Sequence, residues 1–345
     1  MKILKYIFFL LLIVVIGACI YFATKNGSYA IAEDESINAP KALVYQTVNE
    51  LKTWEEWGPW KEEDPEMTFT YPEKTQGEGA SYSWDGEYEG KIETISTHPT
   101  DSLVQKLMIQ TPLGERISNV TWYFKETEDA IKTTWKITGE HPLIDKIFFG
   151  ISGMDFDSQM SSMFTKGLSN LEEFVEEKMS KYTITVDGIT DQSGGYYMYT
   201  TTAARQSAIP EKMAPMMQTV SQYMSENNIA MAGNPMTIVN EWDEMNKTAI
   251  FSAAIPVATR VITPQESPVL CGFMPAQKVL KATLKGDYKN LAEAWQQAKT
   301  YAEQNNLDVS QTSFPFEVYV TDPAAVANPA NWITHIYIPL KAQEL

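Results

Sequence analysis

Cysteine is nearly missing from this chain of 345 residues: Cys19 and Cys271 alone cannot build a disulfide framework or a paired-cysteine metal or redox site. Histidine is almost as scarce. His98, His141 and His335 are scattered, and none opens a metal-binding spacing, so we expect no metal and no cofactor. Positive charge is also short, with 27 Lys and Arg against 44 Asp and Glu and a formal net charge of −17. Without a basic stripe to gain from counterion release, such a chain repels phosphate backbones, and nucleic acid is not an expected partner. No nucleophile triad or phosphate loop is visible either.

What the chain has in quantity is apolar and aromatic bulk: 44% hydrophobic residues, with 9 Trp, 17 Tyr, 14 Phe and 16 Met. That excludes disorder and supplies large side chains for cores and pockets. The length exceeds one hydrophobic core and points to two domains.

The longest apolar run comes first. Tyr6 to Ala23 carries no charge, with Lys2 and Lys5 before it and Lys25 after. At about 1.5 Å per residue it just reaches the length needed to cross hydrocarbon, so a transmembrane helix is predicted at about 6–23 within an anchor of residues 1–28. The competing readings are a cleaved secretory signal and a lipoprotein attached at Cys19, in the stretch Ile16-Gly17-Ala18-Cys19. Ile20 to Ala23 keep the segment apolar beyond that cysteine, which favours an uncleaved, single-pass anchor. Lysines ahead of the span and Glu33, Asp34 and Glu35 behind it put the N-terminus in the cytoplasm and the rest outside.

Residues 30–179 read as a first domain. A strand end runs into a helix at Pro40, with Val44, Val48 and Leu51 on one face. The motif Trp54-x-x-Trp57-Gly58-Pro59-Trp60 follows, then strands near 69–71, 80–88, 90–96, 103–109, 119–126 and 130–138, marked by alternation and Gly or Pro breaks. Phe156, Met160, Met163, Phe164, Leu168, Leu171 and Val175 recur every three or four residues and predict a closing helix over 153–178. This order, with Ile37-Asn38-Ala39-Pro40, Val44-Tyr45, the tryptophan motif and Lys166-Gly167-Leu168, resembles the SRPBCC superfamily of START-like, polyketide-cyclase-like helix-grip domains. The resemblance implies a curved antiparallel sheet around a long C-terminal helix, and a cavity for an apolar molecule whose wall would include Tyr82, Trp84, Trp122 and Trp135. The plainer alternative is a filled core.

Residues 182–345 contain a duplication. Tyr223 to Ile229 recurs as Tyr301 to Leu307, with an Asn-Asn pair in each, and Pro235-Met-Thr-Ile-Val recurs as Pro315-Phe-Glu-Val-Tyr. Each copy reads strand, helix, strand, strand, the helices marked by Ile209, Met213, Met217, Val220 and Met224 and by Leu291, Trp295, Ala298 and Tyr301. Two such units make one pseudo-symmetric sheet with helices on one face, and the other face is expected to be concave and to hold the pocket. Lys285-Gly286-Asp287-Tyr288, Trp295, Pro315-Phe316-Glu317-Val318-Tyr319, Asp322-Pro323 and Asn331-Trp332 through Pro339 resemble the GyrI-like, or AraC-type effector-binding, domain. Leu284 stands where that family often has a histidine. The resemblance implies that Glu317 is the pocket acid, its place in the first copy taken by Thr237, and alternation puts Glu317 and Tyr319 on one face. Tyr288, Tyr319, Trp332 and Tyr337 are core residues or pocket walls; Trp242 and His335 are not placed in the site.

The chain is thus expected to be an α+β protein with a helix-grip domain, a duplicated βαββ GyrI-like domain and an N-terminal anchor. A non-catalytic sensor or carrier for an apolar or cationic amphiphile is the leading expectation, with Glu317, Tyr319, Tyr288, Trp332, Tyr337, Trp84 and Trp122 as candidate ligand contacts. A hydrolase of small electrophiles with Glu317 as general base is the alternative, and a protein-interaction module is a third reading. A transcription-factor role is not expected, since the upstream domain is not a helix-turn-helix.

Overall fold

The computed structural model describes residues 2–128 and 130–341. The chain divides into two compact units, Met1–Lys178 and Met179–Leu345. The fold is α+β, with one antiparallel sheet in each unit.

The first unit opens with α1 (Lys2–Ala23), a helix long and apolar enough to cross a membrane; its length and composition would also suit a signal sequence. At about 33 Å it matches a hydrocarbon core. β1 (Ser28–Ile37) leads to α2 (Lys41–Asn49), α3 (Trp54–Trp57) and α4 (Trp60–Glu63). Then come β2 (Thr68–Thr70), β3 (Ser81–Asp85), β4 (Gly90–His98), β5 (Ser102–Thr111), β6 (Gly114–Glu126) and β7 (Ile131–Glu140), ending with α5 (Leu143–Ser152) and α6 (Phe156–Ser180). The sheet order is β1-β7-β6-β5-β4-β3-β2, so β1 returns beside the last strand. Alternation decides the faces: Val120, Trp122 and Phe124 of β6 turn inward between half-buried or exposed neighbours, opposite Ile137, Trp135 and Thr133 of β7.

The tryptophan motif makes the core rather than a rim. Trp54 and Trp57 are buried against Trp122 and Trp135, with ring centroids 5.7 to 6.1 Å apart, and Trp135 stacks on Phe164 of α6 at 4.3 Å. The Trp122 indole donates to Gln105, 3.2 Å, which donates to Thr94, 3.4 Å. The expectation that Trp122 and Trp135 wall a cavity is therefore corrected: other rings occupy their faces, because indoles set on facing strands and helices fill the space between the layers. Tyr82 is likewise enclosed, and Trp84, half-buried, lies over Gly90 near the sheet's far edge. Helix α5 stands between β7 and α6, where the sequence pattern predicts no helix before the long closing one.

The second unit contains β8 (Thr183–Gln192), β9 (Gly195–Arg205), α7 (Ile209–Glu226), β10 (Met236–Asp243), β11 (Thr248–Val257), β12 (Leu270–Met274), β13 (Gln277–Lys285), α8 (Leu291–Gln304), β14 (Phe316–Tyr319) and β15 (Ile333–Pro339). The sheet runs β12-β9-β11-β10-β14-β15-β13-β8. Each copy is a βαββ unit, β9-α7-β10-β11 and β13-α8-β14-β15, and the copies meet where β10 pairs with β14. The flanking strands are exchanged. β8 precedes the first copy but pairs with β13 of the second, while β12 precedes the second copy and pairs with β9 of the first. Asn228 and Asn306, the second residues of the repeated Asn-Asn pairs, take φ of 54° and 51° and end the two helices alike.

Helix α7 packs on Met198, Ile255 and Val257, and α8 on Leu280, Ala282, Ile336 and Ile338, through Val220, Met224, Ala294, Ala298 and Ala302. By strand register both sets lie on one face. A second cluster of Met236, Ile238, Ala254, Met274 and Phe316 lies on the other.

Candidate functional site

Glu317 sits in the middle strand pair of the second unit, paired with Thr237 across the junction of the two copies and with Ile336 on its other side. Because Ile336 packs under α8, Glu317 is on the helix-bearing face. This corrects the expected position of the groove: the acid lies between α7 and α8, not on the opposite face. Period-two alternation defines two faces without saying which one the helices cover.

Glu317 is 9% exposed, and its carboxylate is held at both oxygens. Trp295 of α8 donates its indole N–H to Oε1 at 2.5 Å, and Tyr319 donates its hydroxyl to Oε2 at 2.8 Å. The Tyr319 oxygen lies 2.7 Å from Thr237 Oγ1. With its own proton committed to Glu317, Tyr319 accepts from Thr237, whose Oγ1 also lies 3.6 Å from Met213 Sδ on α7. A single chain of polar contacts thus crosses the junction between the copies.

Tyr288 closes one side, 5.3 Å from the Tyr319 ring and 4.8 Å from Trp332, whose indole N–H is bound to the Val326 carbonyl at 2.7 Å. Local sequence fixes this corner. Gly286 has φ 148°, a conformation L residues avoid, and a Cβ there would meet Tyr182 Cβ at 2.3 Å. Its N–H donates to the Trp332 carbonyl at 2.8 Å, and Asp287 accepts from the Lys289 N–H. The Gly-Asp-Tyr turn therefore aims Tyr288 at Trp332.

Burial raises the Glu317 pKa, while the Trp295 and Tyr319 hydrogen bonds oppose the rise. Among the described residues, no basic side chain contributes to that balance. Burial and the nearby Glu317 charge push Tyr288 up to about 12, and Tyr319 is raised well above its ordinary value for the same reasons, so both stay protonated donors. Thr334 Oγ1, on the strand position opposite Tyr319, and Asn290 Nδ2, two residues after Tyr288, are buried with no hydrogen-bond partner among the described residues.

Of the residues singled out from sequence, Glu317, Tyr319, Tyr288 and Trp332 come together. Tyr337 does not: it stacks on Phe316, centroids 4.9 Å apart, on the opposite face. Trp84 and Trp122 belong to the first unit. Trp295 and Thr237 complete the site; Trp295 read as a helix core residue, and only its indole N–H hinted at a polar partner. Two open recesses lie elsewhere, one among Glu63, Asp64, Glu66, Asp85 and Glu87, the other along Ser158, Ser161, Ser162, Thr165 and Ser169 of α6; neither contains an aromatic ring.

Residues 195–341 match the family described as the GyrI-like small molecule binding domain, and the second unit carries a domain of that kind. Similar solved structures include the EcmrR C-terminal domain, 16% identical over 47% of this chain and 99% of that one, TM-score 0.39. EcmrR in a DNA complex is also similar, 16% identical over 58% and 72%, TM-score 0.39. A third is SAV2435 bound to tetraphenylphosphonium, 11% identical over 47% and 94%, TM-score 0.34. No curated protein matches the chain.

Proposed function

We propose that this protein is a membrane-anchored, non-catalytic small-molecule binder, a sensor or carrier whose GyrI-like domain takes an apolar or cationic amphiphile beside Glu317. The observation that carries this reading is the buried carboxylate whose hydrogen-bond donors, among the described residues, are the neutral Trp295 and Tyr319. A buried charge without an opposite partner is costly, and a cationic ligand would supply one. Tyr288 and Trp332 would offer ring faces to the same charge, and Thr334 and Asn290 would offer unpaired polar atoms. The aromatic side chains close around the acid, so entry requires Tyr288 or Trp332 to swing aside.

In this proposal α1 is an uncleaved single-pass anchor, N-terminus in the cytoplasm and both units outside, with attachment at Cys19 as the alternative. The first unit is assigned to the helix-grip, SRPBCC type on the support of its seven-stranded antiparallel sheet, the short helices after β1 and the long α6. With its indoles packed on one another, we place no ligand in it. Nucleic acid is not among the proposed partners.

The test is titration of the full chain in detergent with tetraphenylphosphonium, whose charge does not titrate, against the neutral triphenylphosphine oxide. Glu317→Gln should weaken cation binding on the order of 10- to 100-fold, about 1.4 to 2.8 kcal/mol, and leave the neutral compound unchanged. Equal cation affinity in both proteins would end the proposal. The raised pKa of Glu317 favours one second reading, a hydrolase with Glu317 as general base. Its signature is turnover of a small electrophile that Glu317→Gln abolishes.

A further inference from the structure

Helix α5 presents three different faces. Asp145 and Phe149 turn into the fold: Asp145 accepts a two-pronged ion pair from Arg116 at 2.5 Å, and Phe149 packs on His141 and Phe156. Lys146 and Gly150 turn toward the end of α1, where Lys146 Nζ donates to the Lys25 carbonyl at 2.9 Å and the Phe22 ring lies against Gly150, so close that a Cβ there would meet it at 2.1 Å. The third face is apolar and open: Ile144, Phe148 and Ile151, spaced i, i+4, i+7, are 46%, 44% and 76% exposed. Arg116 also donates to the Leu113 carbonyl at 3.1 Å, which ties the tip of the β5–β6 hairpin, with Leu113 41% exposed, to the same platform.

A soluble fold has no reason to turn such a stripe to water, and large exposed apolar patches mark interaction sites. The occupant is indicated by continuity with α1. Tyr21, with Lys25 over its ring at 4.7 Å, and Phe22 give that helix the aromatic and basic ending typical of a membrane–water boundary. A helix packed beside that ending lies at the same depth. With α1 retained as an anchor, Lys25 and Lys146 on its flank would stand at the level of headgroup phosphates.

We propose that α5, with the Leu113 hairpin tip, lies in the membrane interface and seats the first unit on the lipid surface from which α1 emerges, its apolar stripe in the acyl boundary. This rests on α1 being a retained anchor. Docking at two points, one spanning and one interfacial, holds the first unit against the bilayer instead of leaving it to swing on Thr24 to Gly27.

The test uses the full chain with Cys19→Ser and Cys271→Ala, reconstituted in phosphatidylcholine vesicles. Phe148→Cys and Ile151→Cys carry a spin label, and Asp101→Cys, beyond the opposite end of β5 from the hairpin tip, serves as reference. Labels at 148 and 151 should collide more with membrane-dissolved oxygen than with an aqueous nickel chelate, and the label at 101 the reverse. Alkaline carbonate washing reads the anchor separately. Retention of the chain with labels at 148 and 151 as water-exposed as that at 101 overturns the docking alone, whereas release by carbonate overturns the anchor and the docking with it. Because Ile151 is 76% exposed, its replacement leaves the fold intact and the result readable.

Discussion

Thr237 and Glu317 hold equivalent places in the two copies and face each other as register partners where the copies join. Residues so placed are about 4.5 to 5.5 Å apart at Cα. A carboxylate in both copies would bring two acids together on one buried face. The chain instead has one acid and one hydroxyl, joined through Tyr319.

Restoring the symmetry should therefore be harmful. Thr237→Glu removes the donor to Tyr319 and sets like charges opposite each other, so we expect a loss on the order of 2 kcal/mol at neutral pH. One of the two acids would titrate upward, and the loss should shrink as pH falls. Urea unfolding at pH 5 and pH 8 reads the difference; equal losses at both would show that the charges do not interact.

The wild-type acid carries its own pH signature. Its folded pKa is raised, so the folded state binds a proton that the unfolded state has released above the ordinary value of 4.5. Stability from this group is complete below that value and is lost as pH rises through the folded pKa. Glu317→Gln lacks the titration. The stability of the variant relative to wild type should increase with pH from 4.5 upward and then level off, and a difference independent of pH would contradict the assigned burial.

Trp295 acts on the same equilibrium from α8. Trp295→Phe keeps most of the ring and removes the hydrogen bond that favours the charged acid, which should raise the Glu317 pKa further and cost about 1.5 to 3 kcal/mol. The pH midpoint of cation binding should move upward. An unchanged midpoint would mean that the indole only packs.

In the first unit the closeness of α6 to the sheet can be tested at Gly167, where a Cβ would lie 2.6 Å from the Trp135 ring and 3.2 Å from Pro59. Helix propensity favours alanine over glycine by about 1 kcal/mol. Overpacking costs about 1 to 3 kcal/mol, and Trp135 is wedged against Phe164 and four other indoles, so Gly167→Ala should be net destabilising in urea. A gain in stability would show that the tryptophan cluster yields easily.

The elements legible in the sequence are those whose inner face alone is apolar. Strands β4 to β7 alternate and break at glycine, proline or polar turns, and α6, α7 and α8 repeat every three or four residues. Helix α5 escaped because it is short and its apolar stripe, Ile144, Phe148 and Ile151, faces outward while its inner face carries Asp145 beside Phe149, the reverse of a core-packed helix. Pro142 and Gly153, just outside its two ends, were the clues, with Gly153 at φ 71° as its left-handed stop. At the site, Glu317, Tyr319, Tyr288 and Trp332 were legible through motifs, whereas Tyr337, a candidate contact by the same motif, packs on Phe316 on the face away from Glu317.

By itself the sequence settled composition, periodicity and repetition: an apolar N-terminal helix, an α+β chain, a duplicated C-terminal half and a single acid at one of two equivalent positions. Those are local properties, carried by neighbours in the chain. Tertiary structure alone decided that α7 and α8 cover the face bearing Glu317, that Trp295 is its donor, that the tryptophans fill the first unit, and that α5 stands beside the end of α1. Each of these depends on which surfaces pack together, and residues far apart in the chain bring those surfaces into contact.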